Sequence, residues 1–257
     1  MITNYRLYGP NKKCSTYDEY FKENFLDIIE YSWIRDNYNK HLDKLRELVN
    51  SSDKESREYI RLYPVLSKII NSKIKTLFVL FDVISTEKKA NSFLSRYKLE
   101  SDELNAFLFQ VQNYMLPKKI QLRQYIFTDD PKEMEHFEIL KKNKLANNLV
   151  LIETCRTKKG RKEISKNTKV SEKVLLDFVN RCSVGRLPFF GGKSVKHVWN
   201  AGYRSLKDVR NDTPENMTKR LLSAFKSAGL TMPNDFKKGC QDGDMIRMWK
   251  EMPEIIK

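Results

Sequence analysis

The stretch LPFFGGKSVKHVWNAG, residues 187–202, begins like a turn and continues like a helix. One proline and two adjacent glycines occupy its first six positions, and Val195, Val198 and Trp199 then recur at helical spacing. Gly202 follows the last periodic residue, a place where helices commonly end in a left-handed conformation. The pattern predicts a glycine-containing turn that opens a short helix.

Helical patterns continue on both sides of this stretch. Pro214 opens a pattern that closes at Gly229, and Ser171 precedes another apolar repeat at helical spacing. Between residues 1 and 140 the only glycine is Gly9, which fits helices joined by short polar turns. We therefore predict an all-α fold, in which an N-terminal helical bundle precedes a compact helical domain.

Two domain borders are predicted from turn signals and composition. Thr128-Asp129-Asp130-Pro131 is a turn signal, and residues 231–257 contain two glycines and two prolines with little periodicity. We expect an N-terminal domain at 1–130, a basic domain at 131–230 and a partly ordered appendage after it. The apolar pattern of residues 118–127 fits either a short strand or an irregular linker.

The basic charge is concentrated in one third of the chain. Residues 141–230 carry 21 Lys and Arg against 7 Asp and Glu, whereas residues 1–140 carry 22 against 21. The whole chain has a formal net charge of +15 at pH 7. A concentrated excess is the footprint expected of a surface that binds a polyanion. The phosphate backbone of DNA is therefore the leading partner.

The cysteines and histidines give no metal-binding pattern. Cys14, Cys155, Cys182 and Cys240 are scattered without a C-x-x-C pair, and the three histidines are far apart. We expect buried thiols, and neither a zinc site, a disulfide framework nor a cofactor.

No run of 18 uncharged apolar residues occurs, and the N-terminus lacks the layout of a signal peptide. We expect no contact with a membrane and an intracellular location, cytoplasmic or nucleoid-associated.

Two parts of the basic region have the chemistry of a phosphate site. In the turn at 187–193, glycines let backbone N–H groups approach a ligand, and the following helix adds its positive dipole end. Lys193 adds a cation beside them. At residues 158–162, four basic side chains recur at i, i+3 and i+4 and share a helix face, although a solvated helix start gives the same pattern.

The predicted DNA contacts come from these two clusters and from the basic positions around them. They are Lys158, Lys159, Gly160, Arg161, Lys162, Arg181, Arg186, Gly191, Gly192, Lys193, Ser194 and Lys196. Arg204 extends the same stripe, whereas Trp199 and Tyr203 are expected in the core.

Residues 187–202 resemble the helix-hairpin-helix motif. The matching positions are Leu187, Pro188, Gly191, Lys193, Ser194 and the closing Gly202. The first hairpin glycine of the motif is Phe189 here, and a bulky residue is strained where φ is positive. Phe189 and Phe190 would pack in the core, wedge against a base or contact a partner protein.

A wider stretch carries a second resemblance. Its matching segments are Leu151-Ile152-Glu153, Lys158-Lys159-Gly160-Arg161-Lys162-Glu163-Ile164, Val170-Ser171-Glu172-Lys173, Phe178-Val179-Asn180-Arg181, Ser205-Leu206-Lys207-Asp208-Val209 and Thr213-Pro214-Glu215-Asn216. Residues 149–225 are similar to the domain-of-unknown-function family 4332, which implies a compact tandem helix-hairpin-helix domain. The resemblance covers about a third of the chain and leaves the N-terminal half unrecognised.

The charge and the resemblance favour a non-catalytic, largely sequence-independent DNA-binding protein. Contacts to phosphates position a protein on DNA without specifying sequence. Such a protein would be accessory to DNA replication, repair, recombination or defence. The alternative is a protein–protein scaffold or adaptor in which the hairpins are structural. In that case the N-terminal half would bind a protein partner or self-associate.

A second alternative is a DNA glycosylase/lyase. Enzymes of this kind that contain the hairpin place a Schiff-base lysine where Lys193 falls, followed by an aspartate for which Asp208 and Asp212 are candidates. The cysteine spacing of their iron–sulfur cluster is absent from the sequence.

Overall fold

The computed structural model describes residues 14–127, 130–186, 192–241 and 250–257. The fold is all-α, as predicted, and no strand occurs within those ranges. Two isolated backbone bridges, His41 with Thr76 and Gln121 with Asn147, join loops. The chain divides into two compact units, and the division falls after Lys118.

The first unit is a helical bundle with an aromatic core. Its described α-helices are α1 (Tyr17–Phe21), α2 (Asp27–Ile29), α3 (Ser32–Tyr38), α4 (Leu42–Asn50), α5 (Arg57–Lys68), α6 (Leu77–Val83), α7 (Glu87–Tyr97) and α8 (Ser101–Gln110). π-Helical turns at Lys22–Leu26 and Val111–Met115 continue α1 and α8. The rings of Phe21 and Phe25 stack in the core, and the Phe81 ring contacts both of them edge-to-face.

The apolar pattern at residues 56–84 forms two helices, and the break lies after α5. Pro64 lies inside α5 and does not end it. Thr76 starts the next helix because its side chain accepts a hydrogen bond from the Val79 backbone N–H.

The second unit contains the region predicted to bind DNA. Its described α-helices are α9 (Pro131–Lys142), α10 (Asn148–Cys155), α11 (Lys158–Thr168), α12 (Glu172–Val184), α13 (Gly192–Asn200), α14 (Leu206–Arg210), α15 (Pro214–Ser227) and α16 (Asn234–Gln241). Hydroxyl caps at Thr157, Ser171, Ser205 and Thr213 start four of them. Helix α12 packs on α10 and α11, and α13 packs on α15.

The segment between the predicted domains belongs to the second unit. Residues 119–127 contain a 3₁₀ turn, Leu122–Tyr125, and the Leu122 N–H donates to the Ala146 carbonyl oxygen at 2.8 Å. The segment is neither a regular strand nor a free linker.

The chain after residue 230 also packs on the second unit where it is described. Helix α16 packs against α15, and Ile255 is buried. The Lys257 N–H donates to the Arg156 carbonyl oxygen at 2.8 Å. Low periodicity suggested a partly ordered appendage here. A local pattern could not reveal this packing, because the contacts are made with residues that are distant in the sequence.

A buried arginine connects several elements of the second unit. Arg181 of α12 forms ion pairs with Glu133 of α9 at 2.5 Å and with Asp177 at 2.6 Å. It also donates to the Tyr125 carbonyl oxygen at 2.8 Å. Three aromatic rings lie within 5.3 Å of its guanidinium carbon: Phe127, Phe178 and Trp199.

Arg181→Met should lower the free energy of unfolding by about 3–5 kcal/mol, because it leaves the Glu133 carboxylate buried without its partner. Denaturant unfolding measures the change. The double variant Arg181→Met/Glu133→Gln should recover part of the loss. Asp177→Asn is the control, since Asp177 is 43% exposed and its pair should contribute less than about 1 kcal/mol. Equal stability of Arg181→Met and the parent would contradict this assignment.

Candidate nucleic-acid interface

The start of α11 exposes a group of lysines. Thr157 caps the helix by accepting a hydrogen bond from the Gly160 N–H at 3.1 Å. Lys158 and Lys159 are the first two helical residues, and the first turn contains no acidic residue.

Four lysines of α11 share one exposed face. They are Lys158, Lys159, Lys162 and Lys166, and each is exposed to solvent. Since successive helical residues are separated by about 100°, these four positions fall within an arc of about 100°. We call this set the lysine face.

The first two residues of the lysine face, Lys158 and Lys159, lie at an electrostatically unusual position. The N-terminus of a helix carries partial positive charge, so acidic residues are favoured there and cations are not. Helix α9 follows this preference, with Glu133 in its first turn and Lys141 and Lys142 in its last. Helix α11 places two cations at its positive end instead. Their fields add, and the arrangement is suited to an anion.

Gly160 has a packing role at this helix start. A Cβ atom at position 160 would lie 1.9 Å from the Thr154 carbonyl oxygen. Glycine is therefore required for the close approach of α11 to the last turn of α10. This contact gives Gly160 a role in helix packing, while the DNA contact at Gly160 stays a prediction.

Arg161 points away from the lysine face and is 8% exposed. Its guanidinium donates to the carbonyl oxygens of Cys155 at 3.0 Å, Arg156 at 3.1 Å and Lys257 at 3.3 Å. Burial and these three acceptors do not favour the phosphate contact at Arg161, which stays a prediction.

Arg186 and Arg181 are buried in the same way. Arg186 is 5% exposed and donates to the Ser183 and Pro253 carbonyl oxygens at 3.2 and 3.0 Å. Arg181 is 7% exposed and is held by the ion pairs given above. Burial of both side chains does not favour the predicted phosphate contacts, which stay predictions. The residue type itself was a signal in the sequence that these side chains are buried, because arginine suits buried sites with several oxygen partners better than lysine does.

The predicted hairpin lies mostly outside the described residues. Gly191 and residues 187–190, including both phenylalanines, are in that part of the chain. Gly192, Lys193 and Ser194 form the first turn of α13, and their side chains are also outside the description. Lys196 is exposed on α13.

The far end of α13 agrees with the sequence pattern. The helix ends at Asn200, and Gly202 follows with φ of +91°. Trp199 and Tyr203 are buried in the core, as expected. The Arg204 guanidinium lies 4.6 Å from the centre of a Trp199 ring and remains exposed.

The two aspartates considered for lyase chemistry have partners in the protein. Asp208 accepts hydrogen bonds from the Arg204 N–H at 2.8 Å and from the Ser205 hydroxyl at 3.1 Å. Asp212 accepts from the Tyr203 hydroxyl at 2.6 Å and from Arg220 at 3.0 Å.

All four cysteines are buried, as predicted. Burial raises the pKa of the Cys155 thiol to about 12, which keeps it protonated at neutral pH. Within the described ranges, no group of three His, Cys, Asp or Glu side chains is placed to hold a metal ion. The helices described there are also too short or too polar to cross a membrane.

The helices that carry the lysine face lie in a part of the chain that matches a known protein family. Residues 133–235 match Domain of unknown function (DUF4332). The match confirms the resemblance seen at 149–225 and extends it in both directions. No curated protein and no solved structure matches the chain.

The DUF4332 region contains the lysine face and all of α10 to α15. The first unit lies outside it, and so does the segment 252–257 whose carbonyl groups accept hydrogen bonds from Arg161 and Arg186.

Gly160→Ala should destabilise the protein by about 1–3 kcal/mol, because the new methyl group would overlap the Thr154 carbonyl group. Urea denaturation measures the change. Lys159→Ala, an exposed substitution in the same turn, should shift stability by no more than about 0.5 kcal/mol. If both variants were equally stable, Gly160 would not be needed for helix packing.

Proposed function

We propose that this protein binds DNA through the sugar–phosphate backbone, without catalysis and largely independently of sequence. The observation that carries the proposal is the lysine face, which presents four exposed cations along α11, two of them at the positive end of the helix. We place the protein inside the cell, as an accessory factor in DNA replication, repair, recombination or defence.

The electrostatics of α11 support a phosphate ligand. Lysines at the first two helical positions oppose the helix dipole, and a bound anion would convert that conflict into attraction. Lysine presents its charge on a flexible stem, which suits backbone contacts that do not depend on base identity.

The charge of residues 141–230 supports a polyanion as the ligand. The charge excess of residues 141–230 remains large after the three buried arginines are set aside. Lys196 provides a further exposed cation on α13, the helix that the hairpin pattern opens. A polymer of phosphates can contact several such cations at once, which a single small anion cannot do.

Binding should depend strongly on salt. If about five phosphates are neutralised, the logarithm of the binding constant should fall with the logarithm of salt concentration at a slope of about −4 to −5. Fluorescence polarisation with two unrelated DNA duplexes, between about 50 and 200 mM salt, measures the slope. The two duplexes should give similar slopes and affinities. A flat isotherm would contradict the proposal.

Lys158→Glu/Lys159→Glu should weaken DNA binding by about tenfold or more and reduce the salt slope by about two. Because acidic residues suit the first helical turn, the same double variant should be as stable as the parent or more stable, by about 0.3–1 kcal/mol for each substitution. Loss of binding would then not result from unfolding.

Lys40→Glu/Lys44→Glu is the matched control for this variant. Lys40 and Lys44 are exposed, lie at the start of α4 in the first unit and give the same change of charge. The control should change DNA affinity by less than about twofold. Equal losses in the two double variants would remove the lysine face as the binding surface. Parallel titrations with single-stranded DNA and RNA identify the preferred form of nucleic acid.

A further inference from the structure

A groove lies between the last turn of α13 and helix α15. Its volume is about 600 Å³, within the range of about 300–1,000 Å³ typical of small-molecule sites. Two cations, Lys219 and Arg220, and two hydroxyl groups, those of Ser223 and Ser227, contribute to its lining. No carboxylate occurs among the described lining residues. We call it the α13–α15 groove.

Small residues leave the groove open. Ala201, Ala224 and Ala228 line it. Gly202 lies next to Ala201 in the left-handed conformation, and a Cβ atom there would lie 2.6 Å from the Arg220 Nη2 atom. Glycine at this position therefore both ends α13 and leaves space for the guanidinium group.

The guanidinium of Arg220 is held in a fixed orientation. Its Nε donates to the Ala201 carbonyl oxygen at 2.9 Å, and its Nη1 donates to Asp212 at 3.0 Å. The Tyr203 ring lies beneath it, 4.2 Å from the guanidinium carbon. A guanidinium has five N–H groups, and two are used in these bonds. The side chain is 41% exposed, so further N–H groups can reach a ligand.

Asp212 keeps Arg220 in place. Burial raises the pKa of Asp212, but hydrogen bonds from Tyr203, Thr213 and Arg220 outweigh that effect and hold the pKa below its usual value. The carboxylate is therefore ionised at neutral pH. Since it balances the charge of Arg220, the net positive charge of the groove comes from Lys219.

We propose that the α13–α15 groove binds a phosphate group. The oriented edge of Arg220 would donate paired hydrogen bonds to two phosphate oxygens. Lys219 would neutralise the charge, and the Ser223 and Ser227 hydroxyls would donate further hydrogen bonds. The phosphate could belong to a sugar–phosphate backbone or to a free nucleotide, because both present the same oxygens. This site does not require the lysine face.

Nuclear magnetic resonance of the isotopically labelled full chain tests the site with AMP and, as a ligand without phosphate, adenosine. AMP should shift the Arg220 Nε resonance and the backbone amides of residues 200–203, whereas adenosine should not. Lys219→Glu should weaken AMP binding about tenfold, since it replaces an attractive charge with a repulsive one. Lys207→Glu is the control, because Lys207 is exposed on α14, does not line the groove and gives the same charge change. It should alter AMP affinity by less than about twofold.

A titration with a short DNA duplex distinguishes the two sources of phosphate. If Lys219→Glu also reduces the salt slope for the duplex by about one, the groove binds the nucleic-acid backbone. If the slope is unchanged while AMP still binds, the ligand is a free nucleotide. If neither AMP nor the duplex shifts the Arg220 resonance, the groove is not a phosphate site. Lys158→Glu/Lys159→Glu should leave the AMP response intact, so failure of the lysine face and failure of the groove give different results.

Discussion

The second unit depends on one buried guanidinium, that of Arg181. Moving a charge out of water costs several kcal/mol, and the cost is offset only when every partner is in place. The partners come from α9, from the 3₁₀ turn and from within α12, and a ring of Trp199 adds a contact from α13. These elements must therefore be positioned together. Helix α13 in turn provides one wall of the α13–α15 groove, so the groove depends on the same interaction.

Arginine and lysine have separate roles in the basic region. The buried arginines join distant parts of the chain through carbonyl and carboxylate oxygens, while the lysines remain in solvent. Arg161 lies on the same helix as the lysine face but is buried, and its guanidinium donates to backbone oxygens of Cys155, Arg156 and Lys257.

Local signals in the sequence were sufficient to predict several helix starts but not the direction of the side chains. Ser171, Pro131 and Pro214 mark helix starts that the structure contains, because capping depends on neighbouring residues alone. The inward direction of Arg161 could not be predicted, since Ile164 is the only large apolar residue of α11 and does not define a buried face. The partners of Arg161 and Arg186 near residue 255 are distant in sequence, and a local pattern cannot identify them.

The most informative property of the lysine face is that its first two lysines lower the stability of their own helix. Natural sequences usually agree with local preferences, and departures from them concentrate at functional sites. Two lysines at the start of α11 oppose the helix dipole at a cost of about 0.3–1 kcal/mol each, and acidic residues there would stabilise the helix. The start of α9 has the favourable charge, so the unit does not avoid acids at helix starts in general. The phosphate ligand that we propose for α11 would supply the missing negative charge, and no such ligand is proposed for α9.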